Sequence, residues 1–113
     1  MKHIKHTKSR VGDLSEYYAI TWLWDQGYEV FPNAGSQGMV DIVAWHPATQ
    51  EVILIDVKTS RKTRRNKDDQ LCTSVSLSAS RTAEQIKKGV RILAYNADTR
   101  KLKFVEHKHE QSD

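Results

Sequence analysis

Two apolar segments joined by a short polar connection constrain the fold of this chain more than any other feature. The first covers residues 39–45 (MVDIVAW), the second covers 51–58 (EVILIDVK), and HPATQ lies between them. Both segments are rich in β-branched residues and are bounded by turn-forming residues, as is typical of buried β-strands. The pattern predicts two neighbouring strands that form a hairpin.

The register of this hairpin brings charged residues together at its open end. A turn centred between Ala48 and Thr49 predicts three opposed pairs: Trp45 with Val52, Val43 with Leu54, and Asp41 with Asp56. Since side chains alternate between the two faces of a strand, Asp56 and Lys58 project to the same side. Directly opposed carboxylates repel each other, and this repulsion destabilises the pair unless a cation lies nearby.

Two kinds of cation could remove this repulsion, and the spacing alone favours neither. Mg²⁺ binds oxygen ligands, usually one or two carboxylates together with phosphate oxygens of a substrate. Such an ion polarises a phosphodiester and activates water near neutral pH, while the Lys58 ammonium could hold that water or neutralise charge on the phosphate. The alternative is an edge salt bridge in which Lys58 pairs with Asp56 or Asp41.

The segment before the hairpin predicts a helix over residues 13–26. Asp13 is the predicted N-cap, Glu16 stands in the capping-box position, and Gly27 suits the C-terminal stop. Apolar residues go most of the way round this helix, so much of its surface is expected to be covered. The capping-box position also gives Glu16 a structural explanation that needs no chemistry.

The remainder of the chain completes an α/β pattern with one sheet. A second helix is predicted at 82–88, where Thr82 and Gln85 have capping-box spacing. Further strands are predicted at 28–31, 90–95 and 101–106. The order is α-β-β-β-α-β-β, which predicts a mixed central β-sheet flanked by helices.

Chain length and composition predict one intracellular domain. The 113 residues suffice for a single modest core, with a basic N-terminal tail at 1–10, one domain at 11–106 and a C-terminal tail at 107–113. No apolar run reaches the roughly 20 residues of a membrane span, and no secretory signal begins the chain. Cys72 is the single cysteine, which is typical of a reducing cytosol. We therefore expect a cytoplasmic location.

A basic segment directly follows the hairpin. The chain carries 18 Lys and Arg against 14 Asp and Glu, and part of this excess lies in RKTRRNK. Its basic residues are Arg61, Lys62, Arg64, Arg65 and Lys67. We predict a polar loop of about ten residues here that contacts nucleic-acid phosphates, because such contacts give affinity without reading sequence.

The charged residues of the hairpin resemble the PD-(D/E)XK nuclease motif. Asp41 is followed fifteen residues later by Asp56-Val57-Lys58, and the chain also has the preceding Glu-bearing helix, a GSQG loop and the ending VKTS. The similarity covers about residues 11–60 and is nearest to archaeal-type Holliday-junction resolvases and compact homing endonucleases. Val40 departs from the motif, because it stands where the family has proline. The resemblance implies a restriction-endonuclease-like core.

The resemblance also implies a role for each matching residue. Asp41 and Asp56 correspond to the metal-binding acids, with the Val57 carbonyl near the metal, and Lys58 corresponds to the catalytic lysine. Glu16 corresponds to the helix-borne acid that completes the site in many members. In the loop, Ser36 lies where resolvase-like members often carry a serine, which adds it to the predicted DNA-binding residues.

These observations predict a Mg²⁺-dependent DNA endonuclease, with Mn²⁺ as a substitute, that acts on branched DNA as a homodimer. Site-specific homing or restriction-type cleavage is the first alternative, and a non-catalytic nucleic-acid-binding module is the second. A purely structural partner-binding domain is disfavoured because the acids and the basic segment converge on one end of the hairpin. Zinc and nucleotide cofactors are not expected, since neither a four-ligand set nor a Gly-rich phosphate loop is present.

Overall fold

A computed structural model describes residues 4–35, 38–60, 62–65, 71–73 and 81–106. The elements in chain order are α1 Lys8–Asp25, β1 Glu29–Pro32, β2 Ile42–Trp45, β3 Val52–Ser60, β4 Lys62–Arg65, β5 Leu71–Thr73, α2 Ala83–Lys88, β6 Arg91–Asn96 and β7 Leu102–Phe104. Within these residues, neither helix has the length and apolar character that crossing a lipid bilayer requires.

The first helix begins five residues earlier than predicted. Its N-cap is Thr7, whose side-chain oxygen accepts a hydrogen bond from the Arg10 N–H at 3.2 Å. The predicted N-cap at Asp13 and the predicted capping box at Glu16 are therefore wrong. Glu16 lies in the third turn of α1, where it caps nothing. Gly12 did not stop the helix, because a glycine inside a helix costs only about 1 kcal/mol relative to alanine.

Five strands form one mixed sheet in the order β1-β2-β3-β6-β7. The β3–β6 pair is parallel, and the other three neighbouring pairs are antiparallel. Val43 lies opposite Leu54 and Trp45 opposite Val52, which confirms the register predicted for the hairpin. The ladder ends at the pair of Ile42 with Ile55, so the predicted acids stand one residue beyond it and Asp41 does not pair with Asp56 in the ladder.

The two faces of this sheet differ. On one face, Ala19 and Leu23 of α1 are fully buried against a strand core formed by Ile42, Ala44, Ile53, Ile55 and Leu93. Because side chains alternate along a strand, Asp56 and Lys58 on β3 point away from α1. On this second face, the Gln85 side chain of α2 contacts Asp56. Helices therefore flank a mixed sheet, as predicted.

The crossover from β3 to β6 contains both a confirmed element and a corrected one. The capping box of α2 is formed as predicted by Thr82 and Gln85, and Gly89 ends the helix with a φ of 76°. The polar segment after Ser60 was predicted to be a loop, but Lys62–Arg65 pairs with Leu71–Thr73 as a separate two-stranded sheet. Within β4, Thr63 is β-branched, a residue type that is enriched in strands.

Candidate active site

Asp41 directly precedes β2 and is held in place by the neighbouring strand. Its backbone N–H donates to the carbonyl of Ile55 at 2.8 Å, and Ile55 is the residue that lies opposite Ile42 in the hairpin ladder. Its Oδ2 accepts the backbone N–H of Val57 at 2.7 Å. The carboxyl group of Asp41 is thus anchored across the open end of the hairpin, beside the residue that follows Asp56.

Asp56 is buried and has two side-chain partners. Only 8% of the residue is exposed. Its Oδ2 lies 3.5 Å from the Lys58 ammonium nitrogen and accepts a hydrogen bond from Gln85 Nε2 at 2.8 Å. The salt bridge that the sequence offered as an alternative is therefore present, and it joins Lys58 to Asp56. The Lys58 side chain is 39% exposed, so its ammonium remains accessible from solvent.

Gln85 was not predicted as a site residue. It is 5% exposed, and its Nε2 also donates to the Met39 carbonyl at 2.9 Å. Its Oε1 accepts the Thr82 N–H at 3.0 Å, as the capping box requires. In the sequence, the capping-box spacing of Thr82 and Gln85 was the one signal at this position, and helix capping alone accounts for a glutamine there. Nothing in that spacing indicated that the amide nitrogen would reach Asp56, 29 residues away in sequence.

Burial and the neighbouring carboxylates raise the pKa of Asp41 from its ordinary 3.8 to about 6. Burial is the largest cause, because it disfavours the charged form. The Val57 N–H opposes this effect, whereas a hydrogen bond with Asp56 and the negative charges of Asp56 and Glu16 add to it. The carboxyl groups of Asp41 and Asp56 line the same cavity, and the negative charge of Asp56 acts on Asp41. Such a pair also has the donor chemistry that a divalent cation requires.

An open cavity of about 560 Å³ exposes this group of residues to a ligand. Its lining includes the site residues Asp41, Asp56, Val57, Lys58 and Gln85. Met39 and Gly38 contribute the loop side of the cavity. The cavity is large enough for a phosphodiester and its neighbouring sugars, since ligand pockets commonly occupy about 300–1,000 Å³.

Glu16 stands apart from this cavity. It is half-buried and lies three and seven residues before the core residues Ala19 and Leu23, so it belongs to the helix face that packs on the sheet. Its negative charge is near enough to raise the pKa of Asp41. Within the described residues, however, no three His, Cys, Asp or Glu side chains are grouped for a metal ion. Glu16 therefore acts on Asp41 through its charge and is not among the described residues that line the cavity.

The predicted DNA-binding residues fall mostly outside what the structure describes. Ser36, Arg61 and Lys67 lie outside the described residues. The other three are Lys62, Arg64 and Arg65, whose backbone forms β4. This strand follows β3 after one residue, so the basic segment begins close to Ser60, two residues beyond Lys58.

Comparisons with known proteins show that this chain is similar in fold to a solved structure. No protein-family model and no curated protein sequence matches the chain. Among solved structures, the chain is similar to a bacterial homing endonuclease, I-Ssp6803I, with a TM-score of 0.61 and 16% sequence identity over 88% of this chain. The match covers 65% of the homing endonuclease chain, which is less than two thirds of its length. The likeness concerns the fold, a mixed sheet flanked by helices.

Proposed function

We propose that this protein is a metal-dependent DNA endonuclease of the PD-(D/E)XK kind, which hydrolyses phosphodiester bonds. One observation carries the proposal: the carboxyl groups of Asp41 and Asp56 converge at the open end of the hairpin, with Lys58 beside them in an accessible cavity. Like charges are costly at such a position, so their convergence is better explained by a ligand than by stability. The nuclease-like fold supports the same assignment.

The acids fit a Mg²⁺ ion by their chemistry. Asp41 Oδ2 accepts the Val57 N–H and Asp56 Oδ2 accepts the Gln85 Nε2–H, and carboxylate oxygens are the ligands that Mg²⁺ takes in proteins. Mg²⁺ is usually bound by one or two carboxylates plus water and phosphate oxygens, so two acids suffice. Asp41, Asp56 and the Val57 carbonyl are the proposed ligands, and Mn²⁺ is expected to substitute. The ion would supply charge stabilisation for the phosphate.

The protein groups around the acids have separate tasks. Lys58 places a compact positive charge beside Asp56, where it can hold the attacking water or neutralise charge that develops on the phosphate. Gln85 fixes the orientation of Asp56 through its Nε2. The Val57 N–H does the same for Asp41. For Glu16 we propose an electrostatic influence on Asp41, because the structure gives it no direct place in the cavity.

The proposed substrate is branched DNA, with site-specific cleavage of linear duplex as the second candidate. The first follows from the resolvase-like features of the sequence, and the second is favoured by the likeness in fold to a homing endonuclease. We propose a homodimer in either case, because a small chain needs two active sites to cut both strands of a two-fold symmetric substrate. Size-exclusion chromatography with light scattering would test the dimer directly.

A cleavage panel tests the function. Wild-type protein and Asp56→Asn, purified in parallel, are incubated with four-way junctions and linear duplexes in Mg²⁺ or EDTA. We expect cleavage by wild type in Mg²⁺, none in EDTA, and at least a hundredfold loss in Asp56→Asn. Full activity of Asp56→Asn would contradict the proposed site. Salt-sensitive DNA binding without any cleavage would instead favour a non-catalytic nucleic-acid-binding module.

A further inference from the structure

The sheet face that carries Asp56 continues beyond Lys58 onto two more strands. The parallel pairing of β3 and β6 places Ala94 beside Lys58, and the antiparallel pairing of β6 and β7 places Lys103 beside Ala94. Residues in register on neighbouring strands point to the same face of a sheet. Lys58 and Lys103 therefore share one face, and a single alanine separates them.

A second row of polar residues lies next to the first. Ser60 is paired with Asn96, and the Asn96 N–H donates to the Lys101 carbonyl at 2.8 Å. Lys101 precedes Lys103 by two residues, so the alternation along the chain directs it to the same face. The two rows thus run from the candidate active site to a pair of lysines at the sheet edge.

These rows line a second cavity of about 450 Å³. The lining includes two ammonium groups, an amide and two hydroxyls, supplied by Lys101, Lys103, Asn96, Thr99 and Ser60, while Ala94 contributes only a methyl group. Among the residues that the structure describes, no carboxylate lines this cavity. The cavity has the composition of an anion site, since every polar side chain in it can donate a hydrogen bond.

Among the residues that the structure describes, the two lysines have no ion-pair partner, whereas the neighbouring arginines contact aromatic side chains. Arg91 lies over the Phe104 ring at 4.2 Å, and Arg100 donates to the Tyr18 hydroxyl at 2.9 Å. Lys101 and Lys103, in contrast, have no carboxylate within 4.0 Å in the part of the chain that the structure describes. Two positive charges without counter-charges at one cavity favour an anionic ligand.

We propose that this cavity binds a second, non-scissile phosphate of the DNA strand that is cut. The proposal rests on the proposed function, because the scissile phosphate is taken to lie at Asp56 and Lys58. Two strand spacings separate β3 from β7, which is about 10 Å. One DNA strand carries a phosphate for about every 3.4 Å of helix axis. The second phosphate is therefore within about three nucleotides of the cleaved bond.

Replacing the two lysines tests the site by binding. The variant Lys101→Ala/Lys103→Ala should bind DNA in EDTA about tenfold more weakly than wild type, and the slope of log K against log salt should fall by about one. Lys101→Arg/Lys103→Arg should retain both values, because it keeps the charge. Thermal melting verifies that the variants are folded, as both lysines are exposed.

Neutral phosphates locate the contact. Methylphosphonate is introduced at single positions within three nucleotides of the cleaved bond, and each DNA is bound by wild type and by the alanine double variant. We expect one position at which wild type loses affinity and the double variant does not, which is the signature of a direct coupling. The control Lys87→Ala/Lys88→Ala removes two charges from α2 and should keep the sensitivity at that position.

The outcomes separate the phosphate site from the function on which it rests. If wild type binds and cleaves DNA while the alanine double variant has unchanged affinity, salt slope and methylphosphonate pattern, the second phosphate site is wrong and the endonuclease remains. If wild type neither binds nor cleaves any DNA, both proposals fall. A loss of affinity that is the same at every methylphosphonate position would also overturn the site.

Discussion

The Gln85 side chain donates a hydrogen bond to Asp56 Oδ2 at 2.8 Å while it caps its own helix. Its Oε1 accepts from the Thr82 N–H, so the capping box fixes which end of the amide faces Asp56. The nitrogen bonds both the carboxylate and the Met39 carbonyl. The start of α2 is thereby tied to the orientation of a proposed metal ligand.

We expect Gln85→Ala to weaken metal binding and cleavage by about 10- to 100-fold, the usual effect of removing a group that orients a metal ligand. The reason is that Asp56 loses the amide donor of Gln85 while it remains buried beside Lys58. Titration of cleavage against Mg²⁺ should show a higher midpoint, with part of the rate restored at high Mg²⁺.

Thr82→Ala separates this effect from helix capping. It removes the side-chain cap, which costs about 1 kcal/mol, but keeps the amide donor to Asp56. Equal losses of metal affinity in Thr82→Ala and Gln85→Ala would contradict a specific role for the hydrogen bond to Asp56.

Lys58 is expected to contribute to the rate more than to binding. Lys58→Met should lower kcat by about 10²–10³, because a preorganised charge at the reacting phosphate is lost, and should change Kd for DNA much less. Lys58→Arg should give an intermediate kcat, since its charge is spread over a planar group. Single-turnover cleavage and equilibrium binding measure the two quantities. An unchanged kcat in Lys58→Met would leave Lys58 with only its salt bridge to Asp56.

Sequence patterns predicted the parts of the site that are fixed by local periodicity. The register of β2 and β3 follows from two apolar segments and a short turn, and a shift by one residue would have moved Asp56 and Lys58 to the α1 face. The pairing of β3 with β6 could not be predicted in this way, because a long crossover separates the two strands. The contact between Gln85 and Asp56 depends on that crossover, as does the cavity at Lys101 and Lys103.

The start of α1 shows a different limit of sequence-based prediction. Thr7 and Asp13 are both good N-caps, and local propensity does not decide between them. The helix begins at the earlier cap, Thr7, and residues 8–10 of its first turn are exposed, so Glu16 has no capping role. The basic segment after Ser60 was similarly ambiguous, because its polar composition is typical of a loop whereas its backbone pairs as β4 and β5.

Two glycines should respond in opposite ways to alanine. Gly27 has a φ of 95°, and a Cβ there would lie 2.8 Å from His46 Nε2, so Gly27→Ala should destabilise the fold by about 1–3 kcal/mol. Gly12 lies within α1 with nothing within 4 Å of a Cβ, so Gly12→Ala should stabilise by about 0.5–1 kcal/mol. Urea unfolding measures the change in the free energy of unfolding for both variants. If Gly27→Ala is as stable as wild type, the turn after α1 can change its backbone conformation without cost.

Because its pKa is raised in the fold, Asp41 contributes less to the stability of the metal-free protein at neutral pH than at acidic pH. Its pKa in the fold is about 6 against an ordinary 3.8, so the folded state binds the proton more tightly. The resulting stabilisation is fully present below about pH 4 and is lost as the pH rises through 6. Asp41→Asn keeps an acceptor for the Val57 N–H but carries no charge. In EDTA it should match wild type near pH 4 and exceed it at pH 7.5.

We expect this difference to be about 1 kcal/mol, because Asp41 is only half-buried and solvent screens its charge. For a domain of this size, the corresponding shift in Tm is roughly 4–8 °C. Adding Mg²⁺ at pH 7.5 should reverse the order, since an ion that binds only the folded wild type stabilises it by mass action. Thermal unfolding at the two pH values, with and without Mg²⁺, measures all four differences. If Asp41→Asn melts below wild type in EDTA at pH 7.5, the ionised Asp41 is not the destabilising group that its surroundings imply.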